Sequence, residues 1–297
     1  MMIEENFPSY LSDAEKVSAR GQRAYLRLTY LGLFAAIVAS VGGGISTSME
    51  AGGHRIELGG GISGLSFLAS IFFSYYLIST KPEGEWYKGR AAAESIKTLA
   101  WRYSVGGGVF GVDFNPNPDE TFVRRLKEID SSVRNADLIL TATGSQVTEA
   151  MRALRSAPLP ERMSRYLTDR VENENSWYTR KAEYNRSRAR TWFGIAITFQ
   201  AVGLAFAALK TFNVMDIGLL GVAATVAASV SAWVQTKGYQ NLSQSYSVTA
   251  RDLSFVLTEA SSHLLQPTEE KWRLFVEDAE QAISREHTVW LARRGAR

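Results

Sequence analysis

The 297-residue chain has no cysteine. Disulfides, thiolate nucleophiles and cysteine zinc sites are therefore excluded. Histidine is almost as scarce: His54, His263 and His287 are scattered, with no Asp or Glu set beside them at metal-ligand spacing. An enzyme is not expected, and neither is a metal or a cofactor. The net charge of +3 is too small to argue for non-specific nucleic-acid binding. The start, MMIEENFPSYLSDAEKVSAR, lacks the basic, apolar and small-residue regions of a secretory signal, so the N-terminus is expected to be retained. Two glycine runs, GGGISG from Gly59 and GGGVFG from Gly106, have the spacing of a dinucleotide loop. One opens an apolar run and the other follows a helical pattern, whereas the fingerprint needs a preceding strand.

A further absence is local. Leu28 to Met49, Gly59 to Thr80, Thr191 to Leu209 and Ile217 to Thr236 contain no charged residue. Each holds about 20 residues, enough to cross a hydrocarbon layer of ~30 Å at ~1.5 Å per residue. The short connections EAGGHRIEL and KTFNVMD pair them into two hairpins. The expected fold is an all-α membrane protein with four transmembrane helices in two hairpins and long cytosolic helical extensions. Its parts are a cytosolic N-terminal helix (1–27), a first transmembrane hairpin (28–80), a cytosolic helical region (81–190), a second hairpin (191–236) and C-terminal helices (237–297).

Basic residues flank the outer ends of the spans: Lys16, Arg20, Arg23 and Arg27, then Lys81, Lys88 and Arg90, then Arg180 to Arg190, then Lys237. The tips carry only His54, Arg55 and Lys210. The positive-inside rule places both termini in the cytoplasm. The two halves also repeat one another weakly, as basic helix, span, tip, span and polar helix, with Gly32 and Gly194 near equivalent points.

Outside the spans, Trp86, Arg90, Ala93, Glu94, Lys97 and Trp101 recur at three- and four-residue steps and share a helical face. Pro82 and Gly84 permit a bend between this helix and the second span. Another helix starts near Asp119 and carries Phe122, Leu126 and Ile129 on one side. Pro158 and Pro160 open a pattern with no breaker before Gly194. Near the C-terminus, Pro267 ends one helix and Thr268 caps the next, which carries a stripe of Trp272, Phe275, Val276, Ala279, Ile283 and Trp290.

WYKGRAAAESIKTLAWRY and RMSRYLTDRVENENSWYTRKAEYNRSRARTWF together resemble the SLATT family of membrane effectors from bacterial conflict systems. The features that carry the resemblance are Trp86, Arg90, Ala93, Glu94, Lys97 and Trp101, then Arg165, Tyr166, Arg170, Trp177, Tyr178, Lys181, Ala182 and Asn185. With their spans the blocks cover 59–103 and 162–236. The resemblance implies a pore-forming or ion-channel effector of an anti-phage system, in the bacterial inner membrane, and because four spans per subunit are few for a pore a homo-oligomer is expected. The resemblance also implies gating by a nucleotide or oligonucleotide and a nucleotidyltransferase or nucleotide-sensing partner. A non-conducting, membrane-anchored scaffold for such a partner is the alternative.

With no charge in the spans, a pathway would be lined by hydroxyls and amides. The candidates are Ser66, Ser70, Ser74, Thr198, Gln200, Thr225 and Ser229, of which Gln200 is the costliest to expose to lipid. Helix packing is the alternative role for each, as for Gly60 and Gly64. Arg180, Lys181, Arg186, Arg188 and Arg190 form a basic band suited to anionic lipid. Alternatively they bind phosphate, joined by Arg124, Arg125, Arg162 and Arg165. Trp86, Arg90, Glu94, Trp101, Trp177 and Tyr178 are expected to be structural.

Overall fold

The computed structural model describes residues 6–44, 48–51, 54–135, 140, 144–212, 214, 218–263 and 266–295; for 48–51, 54–56, 135, 262–263 and 285–295 it describes the backbone alone. The chain is almost wholly helical, and it divides into two units. A span unit comprises Arg23–Pro82 and Tyr184–Leu242, and a bundle unit comprises Met1–Gln22, Glu83–Glu183 and Ser243–Arg297.

In the span unit the four uncharged runs become the apolar parts of α1 (Ser9–Gly43), α2 (Leu58–Thr80), α7 (Asn173–Thr211) and α8 (Leu219–Lys237). All four are long and apolar enough to cross a membrane. None of the most apolar stretch of α2 or α7 is buried, so Leu65, Ile71 and Ile78 on α2 and Phe193 and Leu204 on α7 face outward. That much exposed apolar surface suits lipid, not water.

The first run outlasts its helix. Residues 28–49 were expected to form one span, but α1 stops at Gly43, within the triplet Gly42 to Gly44. Three glycines in succession offer no side chain to pack and leave the backbone free to turn. Ser48–Ala51 then forms β1, antiparallel to β2 (His54–Glu57), with Ser48 opposite Glu57. This short tip sits in an otherwise helical chain, which is all-α as expected.

Helix α1 packs on both α2 and α8. A side chain at Gly42 would lie 3.0 Å from the Gly59 carbonyl oxygen, and one at Gly32 would touch Phe73. The Ser63 hydroxyl donates to the Ala39 carbonyl across this contact at 2.8 Å. On the other side Thr225 donates to Ser40 Oγ at 3.1 Å, and the rings of Tyr30 and Trp233 meet edge to face at 6.1 Å. The close approach uses Gly32 and Gly42, not the pair Gly60 and Gly64 read from the sequence; nothing lies within 4 Å of a side chain added at Gly64.

Between α2 and α3 (Pro82–Val105), Lys81 takes the left-handed conformation at φ 44°, and its N–H caps α2 on the Leu77 carbonyl. Pro82 has no N–H to continue the ladder, so α2 and α3 are separate helices at this point.

The bundle unit also holds α4 (Pro118–Asn135), α5 (Glu149–Ser156), α6 (Leu159–Tyr166), most of α9 (Tyr239–His263) and α10 (Glu269–Gly295). A π-helical turn, Leu167–Glu172, links α6 to α7, so the pattern opened by Pro158 and Pro160 stays helical from Leu159 to Thr211. Thr268 caps α10 by accepting from the Lys271 N–H, as expected. The stripe of α10 packs within the chain. Trp272, Val276, Ala279 and Ile283 are buried, and Trp272 meets Tyr166 edge to face. The Trp290 side chain lies outside the described residues.

Candidate functional site

An acidic residue interrupts the α10 stripe. Glu280 is wholly buried, and a buried carboxylate persists only when its oxygens are matched by donors. Arg170, itself 1% exposed, projects from the π-helical turn and grips it with two bonds, Nε to Oε1 at 3.0 Å and Nη2 to Oε2 at 2.9 Å. The Tyr166 hydroxyl donates to Oε1 at 3.0 Å, and Thr98 on α3 donates to Oε2 at 2.7 Å. Arg170 Nη1 also reaches Glu174 at 2.8 Å, where Lys97 of α3 joins at 2.6 Å. Two cations and two carboxylates thus tie α3, the π turn, α7 and α10 together.

The electrostatics are those of a fixed ion cluster. Burial alone would lower the Arg170 pKa, but Glu280 and Glu174 outweigh it and hold the guanidinium charged. Burial, reinforced by Glu280, pushes the Tyr166 phenol well up, so it remains a donor. A π turn inserts an extra residue into the helix, a local cost that persists at functional sites. Here it lies in the segment that presents Arg170.

The glycine-rich segment after α3 is packed against α10. Gly106 and Gly108 have positive φ, and a side chain at Gly107 would overlap Val276. The Val105 carbonyl accepts from Trp272 Nε1 at 2.7 Å and from Arg162 Nη1 at 2.8 Å. Arg162 is 2% exposed; its Nε donates to Ala157 and its Nη2 pairs with Glu269. That guanidinium is committed within the fold and is not offered to a ligand.

Most of the other candidate cations are at the surface. Arg180, Lys181, Arg186, Arg188 and Arg190 are exposed; Lys181 lies over the Trp177 ring and Arg188 over Tyr184. Arg125 pairs with Glu128 at 3.0 Å and Arg165 with Asp169 at 3.5 Å. Arg124 lines a cleft of about 650 Å³ with Lys127, Arg152, Asp119, Glu120 and Gln146, between α4 and the segment that leads into α5. Asp119 holds Arg152 through two bonds, at 3.0 and 2.9 Å, and accepts from Tyr103. Burial would raise the Asp119 carboxyl, but these donors outweigh it and hold it below its ordinary value. Arg124 and Lys127 are left facing solvent at the cleft.

The polar span residues divide by environment. Ser70 donates to the Gly32 carbonyl at 3.4 Å and Thr225 binds Ser40, so both serve helix packing. Ser66 is half-buried, and Ser74 is exposed. Ser229 is 7% exposed, in a groove between α1 and α8. Thr198 and Gln200 are exposed on α7; Thr198 bonds back to Gly194, and Gln200 has no partner among the described residues.

The residues read as structural lie in the bundle unit. Trp86 and Tyr87 are buried against one another, and Ser18 donates to the Trp86 carbonyl at 3.1 Å. Trp101 meets Phe7 and Tyr166, while Trp177 and Tyr178 both pack on Tyr246. Arg90 and Glu94 are half-buried, and the Glu94 charge contributes to the field on Arg170. Sequence reasoning missed Glu280 and Thr98. Glu280 stands four residues after Val276 and so on the apolar stripe, but with Glu277 and Asp278 beside it the sequence does not set it apart from an ordinary helix-surface charge.

Two family models match in tandem. Residues 8–163 match the one described as SMODS and SLOG-associating 2TM effector domain 3, and residues 166–290 match the one described as SMODS and SLOG-associating 2TM effector domain 1. No curated protein and no solved structure matches the chain. Each matched half contributes two apolar helices to the span unit and several helices to the bundle unit.

Proposed function

The chain belongs to the SLATT family, as two 2TM effector domains in tandem, and from that premise we propose that it is a membrane effector whose copies assemble around an ion pathway. The observation that carries this reading is the outward-facing apolar surface of α2 and α7, with unpartnered Gln200 on the same surface. An amide in hydrocarbon is unfavourable unless it meets water or another polar group, and both are supplied where copies meet around a pathway. The membrane is the bacterial inner membrane, and both termini are cytoplasmic, as the flanking arginines and lysines favour. Cysteine at Phe212 should then react with an impermeant maleimide from outside, and cysteine at Arg180 only after lysis.

A nucleotide or oligonucleotide made by a partner nucleotidyltransferase, or read by a nucleotide-sensing partner, shifts the closed and open populations. Arg124 and Lys127 at the α4 cleft suit its phosphates, and opening disrupts the membrane of an infected cell. The test is single-channel recording in a planar bilayer with nucleotides on the cytosolic side. Discrete currents that respond to a nucleotide, and lose that response in Arg124→Glu, are expected. Silence with verified insertion would overturn conduction and leave a membrane-anchored scaffold.

A further inference from the structure

We infer that α7 of one copy docks in the groove between α1 and α8 of the next, with Gln200 bonded to Ser229; the inference rests on the assembly proposed above. The groove has a volume of about 500 Å³ and is walled by Leu33 and Ala36 of α1 and by Ala224, Ala228 and Ala232 of α8. Alanines at four-residue steps leave a shallow channel that a second helix can approach closely. Ser229 lines it, more than nine-tenths buried, and its hydroxyl has no partner among the described residues.

Gln200 is its complement. The amide offers both a donor and an acceptor, is exposed on α7, and is equally without a partner. The depths agree. Gln200 stands eleven residues before the tip end of α7 at Thr211, and Ser229 ten residues after the tip end of α8 at Leu219. At ~1.5 Å per residue both lie about 15 Å from the tips, midway through a ~30 Å layer. Two copies standing upright side by side therefore bring these groups to one level.

A lipid acyl chain would cover the alanines but leave both polar groups unmatched in hydrocarbon, where no water replaces the lost bond. Another copy satisfies both at once. Because the two surfaces are different patches, the contact is head-to-tail, and a closing rotation turns it into a ring.

The cysteine-free chain makes the test direct. Chains carrying Gln200→Cys and chains carrying Ser229→Cys are mixed in nanodiscs and oxidised, and the double variant is treated alone. The mixture should give a linked dimer and the double variant a ladder ending at the subunit number, while neither single variant links to itself. Oligomer mass is measured separately by native mass spectrometry, and each variant must show wild-type helicity. An oligomer that gives no link, or one in which Cys-substituted position 200 links to itself, overturns the docking inference and leaves assembly standing. A monomer, with or without lipid held in the groove, overturns both.

Discussion

Glu280 is wholly shielded from bulk solvent, so its effect on stability shows when a partner is removed. Arg170→Met would leave the carboxylate buried with only Tyr166 and Thr98 as donors, at a cost of about 3–5 kcal/mol. Thermal unfolding in detergent should show this as a clear drop in Tm, and Arg170→Met with Glu280→Leu should recover much of it. A single-variant loss no larger than the double-variant loss would rule out the stranded-charge account. Asp119 supplies a pH dependence of definite sign. Its folded pKa is depressed below the ordinary 3.8, so its contribution is present above that value and is lost as pH falls through the folded one. Tm curves of wild type and Asp119→Asn should therefore separate near neutral pH and converge as the acid limb is descended. Tyr103 acts in the opposite direction. Burial and its bond to Asp119 raise its pKa, so its contribution is lost only at strongly alkaline pH.

Among the elements, the segment from Gly106 to Gly111 fits α10 closely. Gly107→Ala forces a methyl group into Val276, and overpacking of this kind costs about 1–3 kcal/mol. Val276→Ala should restore part of that loss when combined with it, and a Tm deficit that merely adds would count against direct contact. The spans were legible because a charge-free run is a local property, visible without knowing any neighbour. Caps were legible for the same reason, as at Thr268. The purpose of the glycines at 106 to 108 was not, because the surface they fit is supplied by residues about 170 positions away. Arg162 and Glu280 hid in the same way: each looks like an ordinary helix-surface charge until distant helices enclose it. The end of α1 was misplaced because hydropathy continues through Gly42 to Gly44 while helix propensity does not.

For the whole molecule, the two family domains along the chain are not the two units in space. Each unit draws on both matched halves, so 1–163 and 166–290 expressed apart should each be degraded or protease-sensitive, whereas co-expression should restore a resistant bundle. Independent stability of either half would show that packing between the halves, including the bonds of Lys97 and Thr98 to the ion cluster, is dispensable. The cluster also sets a clock on biosynthesis. Lys97, Thr98 and Arg170 leave the ribosome well before Glu280, which follows Arg170 by 110 residues. At ~5–20 residues per second that interval is on the order of ten seconds. Within that interval α8 is finished at Lys237, still on the order of a few seconds before Glu280 at the same rate, so all four apolar helices of a nascent chain have been made while its bundle unit lacks the keystone carboxylate.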